Sequence, residues 1–316
     1  MTLQPSRVLL LLGVALAPGC ATAQSSCPAP VAIDSAAMMR DLYRLADDSM
    51  GGRLIGSIGN LKARDYLAAR FDAIGIAPPA GGRLQRIAVT PSPRLPGVTE
   101  AWNVIGVVKG TATPERYIVV TAHFDHVGIG RAVDGDSIYN GSDDNASGAA
   151  ALPVLAEYFM AHPLEHTLIF AAVDGEERGM FGSRGLVDSG LFPLDAVDLN
   201  VNMDMVSRNT KRELYAAGPG RYPALPPFVA AAARCTGINL MRGHDTEAAG
   251  RGEDWTGQSD HAAFHQKGIP FLYFGVEDHP DYHRPGDSPD RAMPAFYVEA
   301  IRTVGDVIRR TDAFRR

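Results

Sequence analysis

Five segments, residues 104–108, 117–122, 167–173, 197–203 and 269–274, are apolar runs that lack the alternation of a strand wetted on one face. Strands covered on both faces read this way. Around them lie helical candidates at 146–160, 179–189, 223–234 and 294–309. Residues 57–74 set Ile58, Leu61, Leu67, Phe71 and Ile74 three to four apart, or multiples of that, with Ser57 as N-cap and Gly75 as stop, which predicts an amphipathic helix. A Pro/Gly-rich stretch over 78–97 encloses a short strand at 84–89. Alternating strand and helix predicts an α/β fold, a single three-layer domain with a mostly parallel central sheet and helices on both faces. No linker or repeat divides residues 35–316, and residues 24–34 form a lead segment.

The first residues follow another pattern. Arg7 precedes an apolar run over 8–17, Pro18 breaks it, and Ala21-Thr22-Ala23 offers small residues for cleavage before Gln24. Residues 1–23 therefore read as a signal peptide, and the protein as exported, periplasmic or secreted. The rival reading is a lipid anchor at Cys20. No other segment is apolar enough for a membrane span, which needs ~20 residues. Cys27 and Cys235 then remain, and they read equally as a disulfide or as two separate thiols. With 46% hydrophobic and 21% charged residues the chain is not a disordered one, and a net charge of −6 without a basic run excludes a nucleic-acid partner. Oligomeric state leaves no mark on the sequence.

Open α/β sheets bind ligands beyond the carboxyl ends of their strands. Here those ends carry His123-Phe-Asp125-His126, Asp174-Gly-Glu176-Glu177, Asp204, and Asp278-His279-Pro-Asp281-Tyr-His283, with Ser142-Asp143-Asp144-Asn145 ahead of a helix. Taken singly, each acid is an ordinary cap or turn residue. Together, imidazoles and carboxylates at one rim, with no nucleophilic Ser or Cys among them, make a donor set for divalent metal ions. His126 and His279 read as outer groups or exposed loop residues. Nucleophile-elbow, phosphate-loop and dinucleotide fingerprints are absent from the chain. His162-Pro-Leu-Glu165-His166 fits a zinc pattern, but Pro163 and the following strand deny it the helix that pattern needs.

The ordered motifs His123-x-Asp125, Gly141-Ser-Asp143-Asp144-Asn145-Ala-Ser147-Gly148, Glu176-Glu177-x-Gly179, Asn202-x-Asp204, Ser259-Asp260-His261 and Tyr282-His283-x-x-x-Asp287 resemble the co-catalytic dizinc exopeptidases. That family includes bacterial leucyl aminopeptidases, glutamate carboxypeptidase II and the single-zinc glutaminyl cyclases. The resemblance covers roughly residues 100–310.

It implies two Zn²⁺ ions bridged by Asp143, one completed by His123 and Asp204, the other by Glu177 and His283. It implies Glu176 as general base, Asp125 and Asp287 as acceptors of the second ring N–H of His123 and His283, and a cis peptide between Asp143 and Asp144. Asp260 and His261 would shape the cleft wall, together with Trp255. Thr256 stands where leucyl aminopeptidases carry an oxyanion-stabilising tyrosine, so another donor or the zinc would serve. The implied activity is removal of N-terminal residues from a peptide substrate. Carboxypeptidase, dipeptidase, glutaminyl cyclase and a non-catalytic binding module on the same fold are the alternatives. The loops over 207–260 hold both Asp245, Glu247, Glu253 and Asp254 and Arg208, Arg242 and Arg251, which leaves the substrate's recognised end open.

Overall fold

The computed structural model describes residues 1–2, 27–93, 95–246 and 253–316; the signal segment with Cys20, and the loop residues Glu247 and Arg251, lie outside the described residues. An eight-stranded sheet has the order β1-β2-β6-β3-β7-β10-β8-β9. Its strands are β1 (Leu84–Ala88), β2 (Glu100–Val108), β3 (Thr113–His123), β6 (His166–Val173), β7 (Val197–Met203), β8 (Glu213–Ala217), β9 (Asn239–Arg242) and β10 (Phe271–Gly275). β3 runs parallel to β6 and β7, β7 to β10, and β8 to β9. β1–β2, β2–β6 and β8–β10 are antiparallel. A separate hairpin of β4 (Gly128–Val133) and β5 (Asp136–Tyr139) leaves the rim between β3 and the next helix.

All eight residues of β6 are buried, and successive side chains enter different clusters. Leu168, Phe170 and Ala172 pack with α1 (Ser35–Leu45), α2 (Ile58–Ile74), α3 (Gly148–Ala161), α5 (Pro226–Ala233) and α7 (Pro294–Thr311). Ile169, Ala171 and Val173 pack with α4 (Phe181–Val187) and α6 (His261–Gln266). A strand's alternation disappears when both of its faces meet apolar helices, which is why these runs read as continuous.

Two expectations for α2 hold and one does not. Ser57 accepts from the Asn60 amide at 3.1 Å, and Gly75 closes the helix in the left-handed conformation. The buried face, however, is Gly59, Asn60, Ala63, Leu67 and Phe71, while Ile58 is 75% exposed. The reason is steric and polar: a Cβ on Gly59 would stand 1.6 Å from the Met50 carbonyl oxygen, and Asn60 turns inward to donate to Asp174 at 2.7 Å. Cys27 and Cys235 are disulfide-bonded, with Cα atoms 5.5 Å apart, tying the lead segment to the end of α5. Among the described residues no helix is long and apolar enough to cross a membrane.

Candidate metal centre

Imidazoles and carboxylates from five segments of the chain meet at the carboxyl rim in two groups that share one residue, Asp144. Asp144 Oδ1 lies 3.4 Å from His123 Nε2, which is 3.3 Å from Asp204 Oδ1. Asp144 Oδ2 lies 3.0 Å from His283 Nε2 and 3.6 Å from His126 Nδ1. Glu177 Oε1 completes the second group, 2.8 Å from His126 Nδ1 and 3.1 Å from His283 Nε2. One carboxylate thus offers an oxygen to each side.

The shared position expected of Asp143 belongs to Asp144. Asp143 is turned away: its Oδ1 accepts from the amide and hydroxyl of Ser207 at 2.7 and 2.8 Å, while its Oδ2, buried without a hydrogen bond, lies 3.4 Å from His279 Nε2. The cis peptide moves by the same one place, to Asp144–Asn145. Asp287 does not reach the His283 ring; it accepts from the amides of Asp143 and Asp144 at 3.0–3.1 Å and so holds the loop that carries the shared carboxylate. Helix α3 begins at Gly148 rather than 146 because this loop occupies the intervening residues. Asp125 sits beside His123, but the partner of Nδ1 is its backbone carbonyl at 3.2 Å; the carboxylate Oδ1, 3.6 Å from Nδ1, accepts instead from the Glu176 amide at 3.0 Å.

Burial and mutual repulsion dominate the electrostatics. Burial pushes Glu176 well above the ordinary carboxylate range, helped by Asp260, Asp204 and Glu177 and opposed by His123. Burial, then Glu177, also raises Asp144. Burial would raise Glu177 as well, but His126 and His283 hold it low. For His283 burial works against the charge, yet Asp144 and Glu177 lift it to about 10. Burial takes Asp260 up to about 7. Asp204 Oδ1, Glu177 Oε1 and both ring nitrogens of His126 are buried without a hydrogen-bond partner. Buried polar atoms are normally satisfied, so convergent orphans of this chemistry fit a bound cation.

Behind the cluster lies a group the sequence did not disclose. Arg53 is completely buried, and its guanidinium donates to the carbonyls of Leu45, Phe124, Asn140 and Gly141 at 2.6–2.8 Å. Burial lowers it to about 10, while Asp125, Asp144, Asp287 and Glu177 oppose that, so it stays cationic at neutral pH. Beside β6, Asp174 accepts from Asn60 and from the Trp102 amide, and burial raises it to about 8.

A cleft opens over the cluster, lined by the acidic and imidazole groups of Asp144, Glu176, Glu177, Asp204, Asp278 and His283 and by Met205, Trp255, Gln258, Tyr273, Val276 and Tyr282. Trp255 is a wall residue, stacked on His244 with ring centroids 3.7 Å apart. Thr256 lies behind it, its hydroxyl accepting from Arg221 and donating to Asp254. His261 is buried against Phe271 and Tyr273, with Nε2 2.9 Å from the Trp255 carbonyl, and Asp260 is buried beside it. Of the loop cations, Arg208 pairs with Asp281, and nearby Arg221 pairs with Asp254. Asp245 caps the amides of Gly218 and Gly220. His126, expected at the periphery, is completely buried within the cluster. Its adjacency to Asp125 was the only sequence signal.

Residues 103–308 match the model of peptidase family M28. A protein of Leptosphaeria maculans named "Probable zinc metalloprotease" is 32% identical over 152 residues, covering 47% of this chain and 35% of its own length. The chain thus spans about a third of the length of the first curated relatives it matches. Among solved structures, a zinc aminopeptidase of Bacillus subtilis superposes with a TM-score of 0.69 at 17% identity, over 90% of this chain and 96% of that one. A glutaminyl cyclase of Bacteroides thetaiotaomicron bound to N-acetylhistamine gives 0.71 at 18% identity, over 89% and 99%. Both share the fold described above, the α/β layers with a mostly parallel sheet. With the family model spanning residues 103–308, most of the described domain, the chain belongs to peptidase family M28.

Proposed function

We propose that this protein is an exported, zinc-dependent aminopeptidase that removes N-terminal residues from peptides. His123, Asp144, Asp204, Glu177 and His283 would hold two zinc ions, which supply Lewis acidity for the scissile carbonyl and lower the pKa of water. Glu176 lines the cleft, belongs to neither donor group and has a raised proton affinity. It suits a base that takes the proton of the attacking water and hands it to the leaving amine. Asp125 fixes two things at once, the His123 ring through its backbone carbonyl and the Glu176 backbone through its carboxylate. Tyr282 would replace the donor that Thr256 cannot supply: its hydroxyl makes no hydrogen bond among the described residues, and burial, with Asp144 and Asp204, keeps the phenol protonated and able to donate to a developing oxyanion.

The observation that carries the choice of substrate end is the lining of the cleft. Five carboxylates face it and, among its described lining residues, no Lys or Arg does. An ammonium is welcome in such a cleft and a free carboxylate is not. Four of the five belong to the cluster or to the base; Asp278 is exposed, has no ion pair or hydrogen bond among the described residues, and is placed to meet the ammonium. Export is supported by the leader pattern and by the disulfide, a bond that oxidising compartments maintain.

The test is mass spectrometry of a short unblocked peptide and its N-acetylated twin after incubation with the protein, with and without a chelator. Chelator-sensitive loss of single residues from the free amino end alone is expected. Loss from the carboxyl end of both peptides, or loss of ammonia from an N-terminal Gln without cleavage, overturns the reading.

A further inference from the structure

The two halves of the cluster are unequal. His123, Asp144 and Asp204 make three donors on one side, whereas His126, Asp144, Glu177 and His283 make four on the other. We propose that His126 is itself a metal ligand, so that a closed four-donor site stands beside an open three-donor one. The inference rests on reading this cluster as a zinc centre and adds to the five donors assigned above.

Three observations carry it. First, the ring is completely buried, and its Nδ1, which makes no hydrogen bond of normal geometry, faces two carboxylates at once, Glu177 Oε1 at 2.8 Å and Asp144 Oδ2 at 3.6 Å. Second, the spacing fits. Four donors ~2.0–2.1 Å from a tetrahedral zinc stand about 3.3 Å from one another. Four of the six donor separations here, 2.8, 3.0, 3.1 and 3.6 Å, bracket that value, and all six lie within 4.8 Å. Third, the backbone makes room for this ring in this place. A Cβ on Gly141 would lie 2.4 Å from His126 Cγ, and the His126 amide is pinned to the Arg53 carbonyl at 3.3 Å. If His126 merely oriented Glu177 through Nδ1, Asp144 Oδ2 would have no reason to approach the same nitrogen.

Four-donor zinc sites hold their ion tightly and leave no vacancy, while three-donor sites keep a place for water or substrate. Zinc should therefore bind in two unequal steps. The open place lies on the His123 side, next to Glu176.

The experiment titrates the metal-free full chain with zinc under chelator competition and records the proton spectrum of the cobalt(II)-loaded protein. Wild type should bind two ions in separable steps and show three hyperfine-shifted imidazole N–H resonances, from His123, His126 and His283. His126→Ala should weaken the tighter step at least 100-fold, leave the other within threefold, and show two resonances. His126→Asn, with the unfolding temperature of both metal-free variants, separates a ligand loss from a folding failure. Two imidazole resonances in a wild type that binds two ions, or binding steps within threefold of wild type in the variants, overturn this inference alone. A wild type that binds no zinc overturns the zinc-centre reading with it.

Discussion

Replacing Arg53 by Met keeps most of the side-chain volume and removes the charge and all four guanidinium hydrogen bonds. The Gly141 carbonyl retains the Ala146 amide at 3.1 Å, but those of Leu45, Phe124 and Asn140 are left without a donor among the described residues. A buried acceptor stripped of its partner costs ~1–3 kcal/mol, so three cost about 3–9 kcal/mol. Against a total stability of ~5–15 kcal/mol the loss is large, and Tm should fall by about 10 °C or more. Arg53 also faces Asp125, Asp144, Asp287 and Glu177, so its loss should hurt the metal-free protein more than the zinc-loaded one, in which ions share the work of neutralisation. Denaturant unfolding of both proteins, each with zinc and with chelator, measures the double difference. A cost below about 1 kcal/mol, or an equal cost in the two states, refutes the argument.

Glu176→Gln should keep zinc, as read by metal analysis, and lose about 10²–10⁴-fold in kcat, the range for removal of a general base; full activity would remove Glu176 from the mechanism. Asp278→Asn should raise KM for a free-amine peptide about tenfold or more while changing kcat little, because an exposed, unpartnered carboxylate contributes only ground-state binding. At the opposite rim, Asp198 and Asp312 flank the buried His166 at 2.9 and 2.8 Å. Burial raises both carboxyls, but Arg116, the Arg316 amide and His166 for Asp198, and His166 with the Glu165 and His166 amides for Asp312, bring them below the ordinary range. A depressed folded-state pKa gives stability that is present above the unfolded value, ~3.9, and lost as pH falls through the folded one. Unfolding measured below pH ~4 should therefore steepen with acid, and Asp198→Asn should flatten that slope.

The sheet's central strands were legible because burial on both faces writes itself as uninterrupted Val, Ile, Phe and Ala. The short elements β4, β5 and β9 were not, since exposed strands of four to six residues carry no apolar face to read. Helix α1, capped by Asp34, went unread for a different reason: it follows a polar lead and buries Asp41 alongside Met38 and Leu42. At the rim, residue types and order sufficed for His123, Glu176, Glu177, Asp204 and His283. Two adjacent aspartates defeated the reading, because which of them faces the cluster depends on the turn that Ser207 and Asp287 impose on Asp143, contacts 64 and 144 residues away. Arg53 was hidden by its type: an arginine after two glycines looks like surface, and only the carbonyls around it say otherwise.

The bond between Cys27 and Cys235 spans 208 residues. Closing a loop of that size removes about 5 kcal/mol of freedom from the unfolded chain in the entropic account. His123, Asp144, Glu177 and Asp204 lie inside the loop and His283 outside it. Reduction would therefore leave the folded rim unchanged while making its unfolding far more probable, so the protein has a reason to reach an oxidising environment that is independent of where its substrates are.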